Sequence, residues 1–445
     1  MSLNALNPFS YLAKKPIVNR YSKKRPLWCA VSLVSLALIS SQSLAQESII
    51  SSQQPLSLSQ AIKQTLAKHP QLRSFQFAQQ VADGELLQAS AKTPLMINAQ
   101  VEDALGTGSY SALAGMQTSL SISWLLEQDI IDSRIGLAKD NANLSQFERQ
   151  LTALDVAADT ASHFITLLSQ QEQLILAQLA QRTANDMLTQ ITRRVKVGQL
   201  KVIDKLRAQA NLSKKALVVE DLTHEIEATK AQLAAQWQGD ENFEVIGNLQ
   251  QLPKIQSLEA LVSQLKDNPR YLHFGAQRQI MQSEIALAKS TSQPAWKVSA
   301  GLKRNEAVDD IGFNAGISIP FGGKDRNRGA ITALNAKQQQ NQADADAWFK
   351  QVSKELLLLS HKIRHNRHVI ETLSDTTLPA LEQADEQAEN AYKLGSLRYS
   401  EWNDVQQELI SAQGELIEAY TNIALLNIEL ERLSGASLSM NQVKS

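Results

Sequence analysis

Residues 295–319 read AWKVSAGLKRNEAVDDIGFNAGISI, and here the chain changes its period. Trp296, Val298, Ala300 and Leu302 alternate with Lys297, Ser299, Gly301 and Lys303. Beyond a charged turn, Ile311, Phe313, Ala315, Ile317 and Ile319 alternate with Gly312, Asn314, Gly316 and Ser318. A period of two with one greasy side marks a strand. The pattern occurs twice, each time after a proline: Pro94 and, 200 positions later, Pro294. After Pro94, Ile97, Ala99 and Val101 alternate with Asn98, Gln100 and Glu102. A Gly-Ser-rich turn, ALGTGSYSA, follows. Met116, Thr118, Leu120, Ile122 and Trp124 then alternate with Gln117, Ser119, Ser121 and Ser123. Strands are therefore expected at about 95–104, 114–126, 295–304 and 310–319.

The rest of the chain has the helical period. Helices are expected from about Ser59 to Lys92. Residues 131–196 contain no proline and only Gly136, and Leu151, Leu154, Ala158, Ala161, Ile165 and Leu168 recur at steps of three and four. At about 1.5 Å per residue this helix is roughly 100 Å long. A shorter partner follows at about 202–238. The second half repeats this at about 331–392, with a break expected at Pro379, and at 399–434. Periodicity of that length belongs to a coiled coil or tubular bundle. The half-openings LSQAIKQTLAKHPQL and SLEALVSQLKDNPRYL also match. Two copies of one module are expected. The first spans 46–250, with strands at 95–126 and a helical hairpin at 131–238. The second spans 251–445, with strands at 295–319 and a hairpin at 325–434.

Residues 1–45 read as an export signal. Lys14, Lys15, Arg20, Lys23, Lys24 and Arg25 stand without an acid, an apolar run spans Leu27 to Ile39, and Ser43-Leu44-Ala45 is a small-x-small cleavage site. With it leave six of the 44 basic residues, so 38 face 45 acids. That mildly acidic balance argues against nucleic acid as a partner. The single cysteine, Cys29, lies inside the signal and before its apolar run, so neither a thiol site nor a lipidation site is expected. No later segment offers 18 consecutive apolar residues, so no membrane-spanning helix is expected.

An alternating strand can lay its apolar side on a soluble core. The export signal and a length of about 9–11 residues point instead to tilted membrane strands. Four strands cannot close a barrel, because the smallest membrane barrels need about eight. An open edge in lipid strands backbone groups at several kcal/mol each. Membrane strands of this kind require several chains to share one barrel, eight strands from two or twelve from three.

The helix hairpins turn at two matching glycines, Gly198 in RVKVGQLKVIDKLRAQ and Gly395 in AYKLGSLRYSEWNDVQQ. Each is followed by a leucine (Leu200, Leu397), a base (Lys201, Arg398) and an acid (Asp204, Glu401) at the same offsets. With Val197 and Leu394 these residues are candidate partner-docking tips. The first tip is strongly basic: Arg193, Arg194, Lys196, Lys201, Lys205 and Arg207. Glu401 and Asp404 share a helix face, and in a ring of identical chains they would make a carboxylate constriction that favours cations. His361, His365 and His368 form a helical stripe, but Lys362, Arg364 and Arg367 are interleaved, and no metal site is assigned. FGGKDRNRGAI lacks the GxxxxGK[ST] pattern and reads as a strand-to-helix junction. The methionines are dispersed filler. No catalytic triad, carboxylate dyad or nucleotide fingerprint is present, so neither an enzyme nor a cofactor is expected.

Over residues 56–435 the chain resembles the TolC-type outer-membrane factors, and within them the heavy-metal, Czc- and Cus-type branch. The resemblance is carried by AQVEDALGTGSYS, RRVKVGQLKVIDKLRAQANLSKK, LAAQWQ, LPKIQSLEALVSQLKDNPRY and, most specifically, SIPFGGKDRNRGAITALNAK. WLLEQDIIDSRIGLA departs from the branch's Gly-Gly-Lys-Arg junction and keeps only Arg134. The resemblance implies an all-α coiled-coil tunnel joined to a membrane β-barrel, a homotrimer giving twelve strands, and a tunnel of about 100 Å across the periplasm. It implies a periplasmic adaptor at the glycine tips, an inner-membrane resistance-nodulation-division pump, and an acidic aperture at Glu401 and Asp404. Metal cations are the expected cargo. The same duct serving drugs or secreted protein is one alternative, and a soluble periplasmic coiled-coil scaffold is another.

Overall fold

The computed structural model describes residues 55–435, apart from 255 and 324. The signal reading, Cys29 and Met440 lie outside the described residues. Elements α1 (Leu58–Lys68), α2 (Pro70–Ala89), β1 (Met96–Glu102), β2 (Gln117–Leu126), α3 (Gln128–Lys196) and α4 (Val202–Ala235) come first. Then follow α5 (Leu258–Gln264), α6 (Pro269–Ser292), β3 (Trp296–Asn305), β4 (Asp310–Ser318), α7 (Arg328–Thr372), α8 (Leu378–Lys393) and α9 (Tyr399–Ser434). The order helix, helix, strand, strand, long helix, shorter helix thus occurs twice. Proline opens both second helices, Pro70 in α2 and Pro269 in α6, where its missing N–H is harmless.

Two differences from the sequence reading have clear causes. The second long helix does break, but upstream of Pro379. Residues Leu373–Thr377 form a π turn between α7 and α8, which relieves the hydrogen bond that the proline cannot make. The helix α4 ends at Ala235 rather than near 238, because Gln238 takes a positive φ of 56° and turns the chain out.

The four strands form one antiparallel sheet in the order β1-β2-β3-β4. Its register lines up the greasy positions across the whole sheet. Ile97 faces Ile122, Ile122 faces Ala300, and Ala300 faces Ala315. The next row is Ala99, Leu120, Leu302 and Phe313. This apolar side is the exposed one: Ile97, Leu120, Leu302, Phe313 and Ile317 all stand in the open, Phe313 at 73%. Along β2 the serine side is the covered one, with Ser123 fully buried and accepting a hydrogen bond from Asn98 at 3.2 Å, while β1 and β4 are exposed on both sides. A soluble sheet would be arranged the other way round. Among the described residues, the outer edges of β1 and β4 pair with nothing else.

Among the described residues the helical part has three cores. One joins α1, α3 and α4 through Ile62, Phe164, Leu167 and Leu233. Another joins α5, α7 and α9 through Leu261, Leu265, Leu356 and Ile423. These equivalent clusters each seat a short opening helix on a long hairpin. The third lies at the far end, beneath the glycine turns.

Candidate functional site

Each hairpin turns through the same hydrogen bonds. Gly198 N–H reaches Val195 O at 3.1 Å, and Gln199 and Leu200 N–H share Arg194 O. In the second tip, Gly395 N–H reaches Tyr392 O at 3.0 Å, and Ser396 and Leu397 share Ala391 O. These bonds satisfy the last carbonyls of each helix. Gly198 has φ 75° and Gly395 has φ 81°, a region costly to residues with a Cβ. No atom lies within 4 Å of where a Cβ would sit on either glycine. The demand for glycine is therefore conformational and not a matter of space.

The residues named from sequence separate into two groups. Val197 (66% exposed), Leu394 (84%), Lys201 and Arg398 face solvent beside the glycines. Leu200 and Leu397 do not stand out with them. Both are half-buried against the third core, made by Met187, Ile191, Ala208, Ala388, Tyr392, Tyr399 and Trp402. These leucines pack the turns against the helices, while Val197, Leu394, Lys201 and Arg398 remain exposed beside them. Glu401 has a local task that sequence reading missed: its carboxylate accepts the Arg398 backbone N–H at 2.9 Å, as Asp204 does from Lys201 at 3.2 Å. Each acid ties down the start of its helix. Asp404, one turn on, is exposed and carries no such bond.

The third core joins the two hairpins. Tyr392 and Trp402 lie 5.0 Å apart between ring centres. The Arg194 guanidinium sits 4.7 Å above the Tyr392 ring, a cation–π contact from the first hairpin to the second. Trp402 donates to Asp385 at 2.9 Å. Farther along, Asn211 donates to Asn403 at 3.0 Å and Lys215 to Gln407 at 2.8 Å. Burial raises the pKa of the Tyr392 and Tyr399 phenols and lowers that of the Lys215 amine. The signal for this core was present in the sequence as Tyr399-x-x-Trp402, an aromatic pair on one helix face. Its partners on α3 are too distant in sequence to be read.

The first tip has no such seal. Val202, Ile203 and Leu206, at the start of α4, are all more than half exposed. They form an apolar ridge beside Val197 that sequence reading also missed. Elsewhere, His361, His365 and His368 lie exposed on α7. Among the described residues no group of three or more His, Cys, Asp or Glu side chains is placed to enclose a metal. No described helix is long and apolar enough to cross a membrane.

A sheet with its greasy side outward, continuing into helices of about 100 Å that end in paired tips, has the architecture of a TolC-type outer-membrane channel. No family model matches the chain. The cobalt-zinc-cadmium resistance protein CzcC of Cupriavidus metallidurans is 26% identical over 302 residues, covering 65% of this chain and 72% of that protein. The crystal structure of CusC superimposes with a TM-score of 0.68 at 15% identity, over 85% of this chain and 92% of that one. The outer-membrane protein VceC of Vibrio cholerae gives a TM-score of 0.67 at 15% identity, over 85% and 96%. The fold is thus that of the TolC-type outer-membrane channels, and among the similar proteins CzcC is by name a cobalt-zinc-cadmium resistance protein. By their names CzcC is a resistance protein, CusC forms a transmembrane channel and VceC is an outer-membrane protein, in keeping with the expected class and location.

Proposed function

We propose that the chain is the outer-membrane exit duct of a tripartite efflux system, working as a homotrimer and passing heavy-metal cations. The observation that carries the duct is the inverted sheet. An apolar face that covers nothing, on four strands with two free edges, is stable only against lipid and only when the edges are paired. Three copies give twelve strands, within the range of closed membrane barrels.

The chain supplies its own template for the joint. Inside one chain, β2 pairs with β3, and α3, which follows β2, packs on α6, which precedes β3. The free edges repeat this relation, because α7 follows β4 and α2 precedes β1. Joining β4 of one copy to β1 of the next therefore lays the next copy's α2 against the first copy's α7. Phe77, Val81 and Leu87, all exposed on α2, gain cover there. On this reading residues 46–250 and 251–445 are two copies of one module arranged around a ring.

The tips supply the docking surface for a periplasmic adaptor, through Val197, Gly198, Lys201, Leu394, Gly395 and Arg398 and the ridge of Val202, Ile203 and Leu206. The adaptor links the duct to an inner-membrane resistance-nodulation-division pump. Glu401 and Asp404 line the periplasmic aperture. The heavy-metal cargo is supported by the likeness to CzcC, whose name specifies cobalt, zinc and cadmium. Two experiments test this reading. Native mass spectrometry of the detergent-extracted protein should give a trimer, and a stable monomer that needs no detergent would overturn the duct. Deleting the gene should sensitise cells to a metal panel (cobalt, zinc, cadmium, copper) and not to organic drugs. The reverse pattern would leave the duct and overturn the cargo.

A further inference from the structure

In the sequence, bases are interleaved with the histidines of the α7 stripe and speak against a metal site there. The structure removes much of that objection. His361, His365 and His368 are exposed, while Ile363 and Ile370 on the same helix turn into the core. Among the described residues, the three imidazoles make no hydrogen bond or ion pair. Arg367 is drawn away from them and donates to the Pro253 carbonyl at 3.2 Å. Lys362 and Arg364 remain exposed at the borders of the stripe, on long stems that can swing their charges into water.

We propose that this stripe is a two-imidazole site for a borderline divalent cation such as zinc, copper or nickel. Histidines four apart on a helix present both rings to one side at a separation a single ion can bridge, and those three apart do so less well. Imidazole is a preferred ligand of these metals. His361 and His368 lie two turns apart, about 10 Å along the axis, and cannot share an ion. His365 therefore belongs to both possible pairs, and the site holds one ion per chain, its remaining positions filled by water. The site lies on the helical part of the chain, away from the glycine tips. It does not depend on the duct's cargo: it is read by binding to the isolated protein, and cargo is read by resistance in cells.

The test uses untagged full-length protein in detergent, titrated with copper(II) and followed by electron paramagnetic resonance for nitrogen hyperfine structure. Zinc is used as competitor. One equivalent per chain with nitrogen ligation is expected in the wild type. H365N should weaken binding at least tenfold, H361N should weaken it less, and H368N least, because each of the latter two leaves one pair. H224N is the control, since His224 is an exposed imidazole already flanked by Glu220 and Glu227 at 4.0 and 3.7 Å, and it should bind as wild type. In wild-type protein, bound zinc should also protect His365 from carbethoxylation, which keeps the test valid should a variant fold poorly. No nitrogen-ligated copper, wild-type binding by H365N, or loss of binding in H224N alone would each overturn the site.

Discussion

The two hairpin tips share a backbone and differ in what they bury. Position for position, Val202 corresponds to Tyr399, Lys205 to Trp402, Leu206 to Asn403 and Arg207 to Asp404. The second tip places its aromatics inward, where Tyr399 and Trp402 are buried beneath the turn. The first leaves aliphatics in the open and surrounds them with bases. The long helices differ too, for α3 runs unbroken for 69 residues while its counterpart is interrupted by the π turn. One backbone has been given two tasks: the second tip joins the hairpins, and the first offers an uncovered surface.

The comparison is broken most severely at Trp402. Trp402→Ala should destabilise the second tip by about 3–5 kcal/mol, the range for a buried aromatic. Lys205→Ala, at the equivalent place, should change the first by under about 0.5 kcal/mol. Hydrogen exchange of the tip amides reads both locally, and equal effects would mean that the third core is not the joint. Next come the glycines. Gly198→Val and Gly395→Val should each cost about 1–2 kcal/mol through the left-handed conformation alone, leaving the trimer intact and abolishing export. Wild-type metal resistance in both would rule out docking at the tips.

A change of Val202, Ile203 and Leu206 together to serine should leave thermal stability within about 0.5 kcal/mol, yet reduce capture of the adaptor in a crosslinking assay. Undiminished capture would show that the ridge faces no partner. Glu401→Gln with Asp404→Asn should preserve the fold, because an amide oxygen can still accept the Arg398 N–H. Cation selectivity in planar bilayers should fall, and unchanged selectivity would place the aperture elsewhere. The smallest effect lies away from the tips, at Glu431. Burial holds its pKa above the ordinary carboxylate value, while a hydrogen bond from Asn427 opposes this. The charged form is therefore disfavoured in the fold. Stability is lowered by this group at neutral pH and recovers as pH falls through the raised pKa toward the ordinary one. Glu431→Gln should raise Tm slightly at neutral pH, with the gain vanishing in acid. A gain independent of pH would dissociate it from ionisation.

The sheet and the glycine turns were legible because their cause is local. A period of two shows in any ten residues, and a positive φ at a helix end calls for Gly198 and Gly395 whatever surrounds them. The direction in which the sheet faces was legible only with the export signal in view, since alternation does not say which side meets solvent. The π turn was not legible, because Leu373–Thr377 carries no mark of its own and takes its shape from Pro379 downstream. The third core was hidden for another reason: Arg194 and Tyr392 meet across 198 positions of sequence. Leu200 and Leu397 sit beside the glycines in sequence, and only packing shows that they are half-buried against the third core.

If the free edges of β1 and β4 are joined between copies, as proposed above, they also determine how the protein is made. A lone chain can complete its helical cores by itself, since each is built from its own residues. Its sheet has no such recourse, and until neighbours arrive it carries bare strand edges and an uncovered greasy face through an aqueous compartment. In the shared barrel proposed above, closure would be the last step of biogenesis and would depend on the supply of chains more steeply than first order. A shortage of copies would leave orphans open to chaperones and proteases, so that loss of one partner is felt as loss of protein and not as a weaker channel.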